Sequence, residues 1–362
     1  MNIQKIETYT KTNVSLVCVT TDSGASGWGQ IAPYNSDISA TILHRQIAPH
    51  ALGKQAFDIS SLVDHVMDVT YKFPGSYVCR ALTGLETALW DLQGKTEEQS
   101  VCEILGGEHR CFPVYGSSMR RDITPDDEAE RLYQLKDQFG YTAFKIRIGS
   151  VCGHDHDYWE GRTEAIVPSV REAIGEETAL LVDANSCYSP QKAIDVGRML
   201  EDNGVCHFEE PCPYWELDWT AEVTAALELD VTGGEQDCWL PTWRRMIAID
   251  AVDIVQPDIC YVGGIERTLR VAEMAREKGK LCIPHSANLS LVTIFSLHLM
   301  GAIQNAGNYV EFSIEPTAWT QELFDPNLSV VDGKVQIPSE PGWGININPK
   351  WLESSQYQQS SI

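Results

Sequence analysis

Positive charge is scarce in this chain. Its 27 Lys and Arg stand against 51 Asp and Glu, a formal net charge of −24 at pH 7, and the isoelectric point is near 4.7. Nucleic acid and anionic membrane surfaces repel such a polyanion, so neither is expected as a partner. Salt adaptation is the plainest cause of the acidity. It also makes individual Lys and Arg positions informative, because an anionic ligand must be met by local cations. No run of 18 apolar residues occurs, so no membrane-spanning helix is expected. The start, Met1-Asn2-Ile3-Gln4-Lys5-Ile6, lacks the basic residues and apolar core of a secretory signal, and a cytoplasmic location is expected. The 11 cysteines contain no Cys-x-x-Cys pair, which fits a reducing compartment where thiols serve as small core residues. Glycine-rich phosphate loops, nucleotide fingerprints and low-complexity segments are also missing.

What is present suits a large globular protein. At 362 residues with 43% hydrophobic and 22% charged content, the chain can bury the core of two domains, or of one barrel with additions. Residues 1–112 read as an α+β unit. Ile3–Tyr9 and Val14–Thr20 alternate like strands around the turn Thr21-Asp22-Ser23-Gly24, Gly27-Trp28-Gly29-Gln30 closes a small meander, and helical spacing follows, ending in the strongly apolar Ala81–Leu92. From residue 113 to 316 strands and helices alternate. Eight strand candidates are Val114–Gly116, Ala143–Ile148, Ala179–Ala184, His207–Glu210, Val231–Gly234, Ile254–Gln256, Leu281–Pro284 and Tyr309–Glu311. Helical stretches lie between them, such as Thr163–Ile174 and Ile265–Lys278. Eight such repeats indicate a (β/α)8 barrel. Residues 317–362 are rich in Pro and Gly, carry one strand at Lys334–Pro338, and are expected to return to the first unit.

The chemistry is concentrated at the strand ends. Leu181-Val182-Asp183, Phe208-Glu209-Glu210 and Gly233-Gly234-Glu235 each end an apolar run in acid, and Asp183, Glu209 and Glu235 follow one another at intervals of 26 residues. In a parallel barrel all strand C-termini share one face, so these acids would converge. Converging carboxylates need a cation, and three oxygen ligands suit Mg²⁺. Lys145 and Arg147, two apart on one strand, face the same way. Asp258, His285 and Glu311 continue the series at intervals of 27 and 26 residues. Asn185 lies two past Asp183 and is read either as a contact to substrate or metal-bound water or as structural. Arg120 and Arg121 would either hold a distal carboxylate or be surface charges. Trp215 and Trp219 read as packing residues, and Gly153-His154-Asp155-His156-Asp157 as a solvated loop rather than a second metal site.

The combination resembles the enolase superfamily in its mandelate racemase and muconate lactonizing enzyme-like branch, over nearly the whole chain. The resemblance implies a modified (β/α)8 TIM barrel with an α+β capping domain completed by the C-terminal tail. It implies Asp183, Glu209 and Glu235 as Mg²⁺ ligands, with Glu209 rather than Glu210 chosen from the paired acids. It implies His285 as general base with Asp258 as its partner, Lys145 as the cation beside the substrate carboxylate, and Glu311 as an acid hydrogen-bonded to that carboxylate. A Lys or His base working with Mg²⁺ is the general pattern of this superfamily, and it comes with the resemblance rather than from the spacing of the residues. Tyr34, Tyr71, Lys72, Phe73 and Tyr77 fall in cap segments that, by resemblance, close over the site, with Tyr34 and Lys72 the substrate contacts expected. Relatives form dimers or octamers, so a homo-oligomer is expected.

Arg147 departs from the racemase pattern, in which a second lysine is the opposite base. Arginine is a poor proton acceptor at neutral pH. One-base chemistry is therefore expected: His285 takes the α-proton of an aldonate or aldarate and a β-hydroxyl leaves, giving a 2-keto-3-deoxy acid. The rivals are an epimerase, racemase or lactone cycloisomerase on the same scaffold, and a non-catalytic binding protein.

Overall fold

The computed structural model describes residues 1–362. Three antiparallel strands open the chain, β1 (Ile3–Lys11), β2 (Val14–Thr21) and β3 (Ser26–Ile31), and the final segment Gln356–Ser361 pairs with β1 as a fourth. Behind this sheet lies the 23-residue helix Gly75–Glu97. It approaches β3 so closely that a Cβ on Gly29 would sit 2.4 Å from the Ala88 nitrogen. Side chains are excluded there, which explains the Gly-Trp-Gly sequence.

Eight parallel strands follow: β4 (Cys111–Ser117), β5 (Ala143–Arg147), β6 (Ala179–Asp183), β7 (Val205–Glu209), β8 (Asp230–Gly233), β9 (Ile254–Val255), β10 (Leu281–Cys282) and β11 (Val310–Ser313). They run in sequence order around the sheet, with β11 returning beside β4. No ladder joins β10 to β11; a single bridge, Cys282 to Ala306, spans the seam. This is a modified TIM barrel under an α+β cap. All eight expected strands are present, with ends shifted by one or more residues. Two barrel helices, Leu217–Ala226 and Leu291–Ala302, had no expectation of their own. The first carries little apolar striping. The second is buried on all sides from Leu291 to Met300, so it has no polar face to mark its period.

Strand parity decides what faces inward. Phe144, Ile146, Leu180, Val182, Phe208 and Val231 pack outward with helix residues such as Val167, Val170 and Leu200. Tyr115, Ala143, Leu181, Ile254 and Ile283 form a small separate cluster inside. Lys145, Arg147, Asp183 and Glu209 share the inward parity and sit one layer nearer the C-terminal face.

The cap is tied to the barrel by buried polar contacts. Glu86 accepts from the backbone N–H groups of Ile265 (3.0 Å) and Glu266 (2.8 Å), at the start of the helix Ile265–Arg276, and from Trp90 Nε1 (2.8 Å). Burial nevertheless pushes its pKa up to about 7. Gln30 donates to Ser290 Oγ (2.8 Å) and accepts from Leu291 N (3.0 Å). No helix is long and apolar enough to cross a membrane.

Candidate active site

Register brings the first acids together. Across β5, β6 and β7, Arg147 pairs with Asp183 and Asp183 with Glu209, so all three lie at one level. Glu209 pairs onward with Thr232 of β8, and Glu235 lies three residues beyond that. The turn that brings it back depends on Gly234, whose φ is +106° and whose Cβ would lie 2.2 Å from the Trp243 ring. The result is a buried triad, Asp183, Glu209 and Glu235, with one oxygen from each within 4.8 Å of the others.

Three cations crowd these acids. Lys145 Nζ lies 2.7 Å from Glu209 Oε2 and 2.8 Å from Glu311 Oε1. Burial works against its ammonium, but Glu209 and Glu311 outweigh that and hold its pKa above the usual value. Arg147 Nη1 is in close contact with Asp183 Oδ2 and donates to Asn185 Oδ1 at 2.9 Å. His285 Nε2 is 3.0 Å from Glu235 Oε2. Burial alone would raise the Glu235 pKa, yet His285 and Arg147 hold it well below the ordinary carboxylate range.

The imidazole is fixed from behind. Asp258 caps the turn Ile259–Val262, its Oδ1 accepting from Cys260 N (2.7 Å) and Tyr261 N (3.1 Å). That locks the carboxylate and leaves Oδ2 at 2.8 Å from His285 Nδ1. Nδ1 therefore keeps its proton for Asp258, and Nε2, paired with Glu235 Oε2 at 3.0 Å, carries the one that must leave before the ring can act as a base.

Glu311 is held from three directions. Its oxygens meet Ser117 Oγ (2.7 Å), Ser286 N (2.6 Å) and Lys145 Nζ, all of them donors. Burial opposes ionisation, but Lys145 and His285 draw its pKa down to about 2.

The remaining expected residues divide. Asn185 belongs to the cluster, donating from Nδ2 to Asp183 Oδ2 at 3.2 Å. Tyr34 is half exposed and lies edge-on to Trp319 at 6.0 Å. Lys72 is exposed and sits over the Tyr71 ring. Neither is brought into contact with the triad. Arg120 is paired with Asp122 on the surface, whereas Arg121 is buried. Trp215 and Trp219 are 57% and 40% exposed, which corrects their reading as packing residues. Asp155 and Asp157 accept from the backbone N–H groups of Ser189 and Thr163. Sequence reading missed Ser117, Ser286 and Gln256. The last donates from Nε2 to Glu209 Oε2 at 2.9 Å. It was visible as the inward polar residue two before Asp258, but amides carry no motif of their own.

The donor set fits a hard divalent cation: three carboxylates, no sulfur, no imidazole within the triad. Lys145, Gln256 and Asn185 hold those carboxylates in place from the sides, as outer partners of a metal site do.

Comparison with known proteins agrees with this geometry. Residues 3–106 match the N-terminal domain of mandelate racemase and muconate lactonizing enzyme, and residues 127–351 match the enolase C-terminal domain-like family. Arabinonate dehydratase of Saccharolobus solfataricus is 28% identical over 339 residues, 91% of this chain and 87% of that one. D-galactarolactone cycloisomerase of Agrobacterium fabrum is 32% identical over 285 residues, 74% and 71% of the two chains. A Roseobacter denitrificans crystal structure, provisionally called a racemase, superposes with TM-score 0.99 at 55% identity over the full length of both. Cap, barrel and acid triad together make this chain a member of the mandelate racemase and muconate lactonizing enzyme family within the enolase superfamily.

Proposed function

We propose that the protein is a Mg²⁺-dependent dehydratase of sugar acids, aldonates or aldarates, yielding a 2-keto-3-deoxy acid. One observation carries the reading. The acid row has a proton acceptor at one end only: His285 with its tautomer set by Asp258, against the permanent cation Arg147 at the other. Asp183, Glu209 and Glu235 would hold the Mg²⁺, which when bound withdraws charge from the substrate carboxylate and acidifies the α-carbon. Lys145 adds a fixed ammonium for charge developing on that carboxylate. Glu311 keeps Lys145 in place. His285 Nε2 takes the α-proton and can return it to the departing β-hydroxyl if elimination is syn, so the base is regenerated as water leaves.

The similarity to an arabinonate dehydratase supports this chemistry class. The second reading is isomerisation, favoured by the cycloisomerase and racemase likenesses. Proton NMR in D₂O with a panel of acid sugars and Mg²⁺ separates them. A dehydratase gives a keto product lacking one hydroxyl. Retention of every hydroxyl or ring oxygen with α-deuteration would establish the isomerase instead.

A further inference from the structure

Arg121 is a buried cation with no carboxylate beside it. The residue is only 9% exposed. Nε bonds the carbonyls of Ile148 and Gly149 (3.2 Å each) and Nη2 bonds Asn185 Oδ1 (2.8 Å). Those are its only hydrogen bonds, and Nη1 is uncommitted. No carboxylate pairs with it, although acids outnumber bases almost two to one in this chain. Arg147 Nη1 donates to the same Asn185 oxygen at 2.9 Å, so two guanidinium groups share one neutral acceptor. Burial, Arg147 and Arg162 together push the Arg121 pKa down to about 9. A buried cation beside a like charge is destabilising unless it serves an anion from outside.

Arg162 supplies the internal contrast. It too is buried and binds carbonyls, those of Arg147 and Arg120, but its side chain has no hydrogen bond to Asn185 or to any other side chain of the acid row. Arg121 does the same backbone work and in addition meets Arg147 at a side chain that itself bonds Asp183.

We propose that Arg121, Arg147 and Asn185 form a subsite for the far carboxylate of a dicarboxylic sugar acid, so that the enzyme prefers aldarates to aldonates. This rests on the sugar-acid reading of the site above. A planar carboxylate matches a guanidinium fork, and Asn185 would release its shared oxygen as the anion takes over both donors. A substrate ending in CH₂OH would leave Arg121 without an anion, the kind of unpaired buried group that gives strong discrimination.

The test is calorimetry on the full chain in Mg²⁺ buffer with adipate and hexanoate, unreactive six-carbon acids that differ only in the second carboxylate. Adipate is expected to bind roughly 10- to 100-fold more tightly, the effect of a charge-assisted hydrogen bond. Arg121→Met should collapse that ratio towards one, and Arg121→Lys, which keeps charge but loses the fork, should leave it in between. Because Arg121 also anchors two carbonyls, the wild-type ratio alone decides if either variant fails to fold. Equal affinity for the two acids overturns the subsite. Adipate preference without turnover of any sugar acid would instead sink the dehydratase reading and leave the subsite standing.

Discussion

The two ends of the acid row are built from the same architecture and arrive at opposite chemistry. At the β5 end, Arg147 is set against Asp183 by strand register alone, and its charge is permanent. At the β10 end, His285 is held by Asp258, whose own orientation is imposed by the cap it forms on a short helical turn. One end offers a cation that cannot take a proton, the other a base that can do little else. The difference shows that a symmetric arrangement of strand ends need not make a symmetric catalyst. Side-chain pKa, not position, determines whether one face of a carbon is addressed or two.

Removing the base is the most direct way to break this asymmetry. His285→Asn should lower kcat by about 10²–10⁴, with α-proton exchange in D₂O lost along with keto product. Exchange that survives would mean that a proton acceptor stands elsewhere, and Lys145 would be the first suspect.

Titration sharpens the same contrast. Burial disfavours charge on His285, yet Glu235 and Asp258 outweigh it and raise its pKa well above the usual 6.5. A raised imidazole pKa gives stability that is complete below about 6.5 and is lost as pH rises through the folded value. Activity runs the other way, since Nε2 must be neutral to accept a proton. Mg²⁺ at the acids would compete with the imidazolium for Glu235. Adding it should therefore lower the His285 pKa by roughly one unit or more, as followed by NMR of its ring protons. A titration unmoved by Mg²⁺ would detach His285 from the metal-binding acids.

Much of this was legible because a barrel turns sequence interval into position. Acids 26 residues apart at successive strand ends must share a face, and Lys145 and Arg147 share a parity, so the row was visible without coordinates. What was hidden depends on contacts between distant residues. The partners that hold Glu311 could not be read beforehand, because Ser117 and Ser286 lie 194 and 25 residues away in sequence. Arg120 and Arg121 are indistinguishable as a pair, yet one is on the surface and one is buried. The strands β9 and β10 are only two residues long, so their ends were placed by the reactive residues after them rather than by periodicity. The cap contacts Tyr34 and Lys72 rested on resemblance alone, and loop conformation has no period to read.

Smaller effects follow from the supports of each end. Asp258→Asn preserves the helix cap, because Asn is an equally good capping residue. Its amide would nevertheless present N–H to His285 Nδ1 if the cap keeps its carbonyl oxygen. The imidazole would then carry its proton on Nε2, the wrong nitrogen. A loss of about 10²–10³ in kcat with little change in melting temperature is expected, and a purely structural role for Asp258 would give the reverse. At the other end, Arg147→Lys replaces a permanent cation by one able to lose its proton. Dehydration should fall about tenfold while inverted, α-deuterated substrate accumulates in D₂O. If the wild type already inverts its substrate, the two ends are not the opposites described.

The mildest change tests whether the acids between those ends are held rather than merely present. Gln256 Nε2 gives Glu209 Oε2 one hydrogen bond from a fully buried position, and Lys145 gives the same carboxylate two. Gln256→Met removes the bond with little change in volume, while Lys145 keeps Glu209 from being stranded. Mg²⁺ affinity should weaken by about tenfold, at the low end for loss of an outer partner of a metal ligand, with kcat at saturating Mg²⁺ nearly unchanged. Calorimetric titration of Mg²⁺ measures the first and steady-state rates the second. A fall in kcat at saturation would place Gln256 against the substrate instead, because a group that only orients a metal ligand has no further part once the metal is bound.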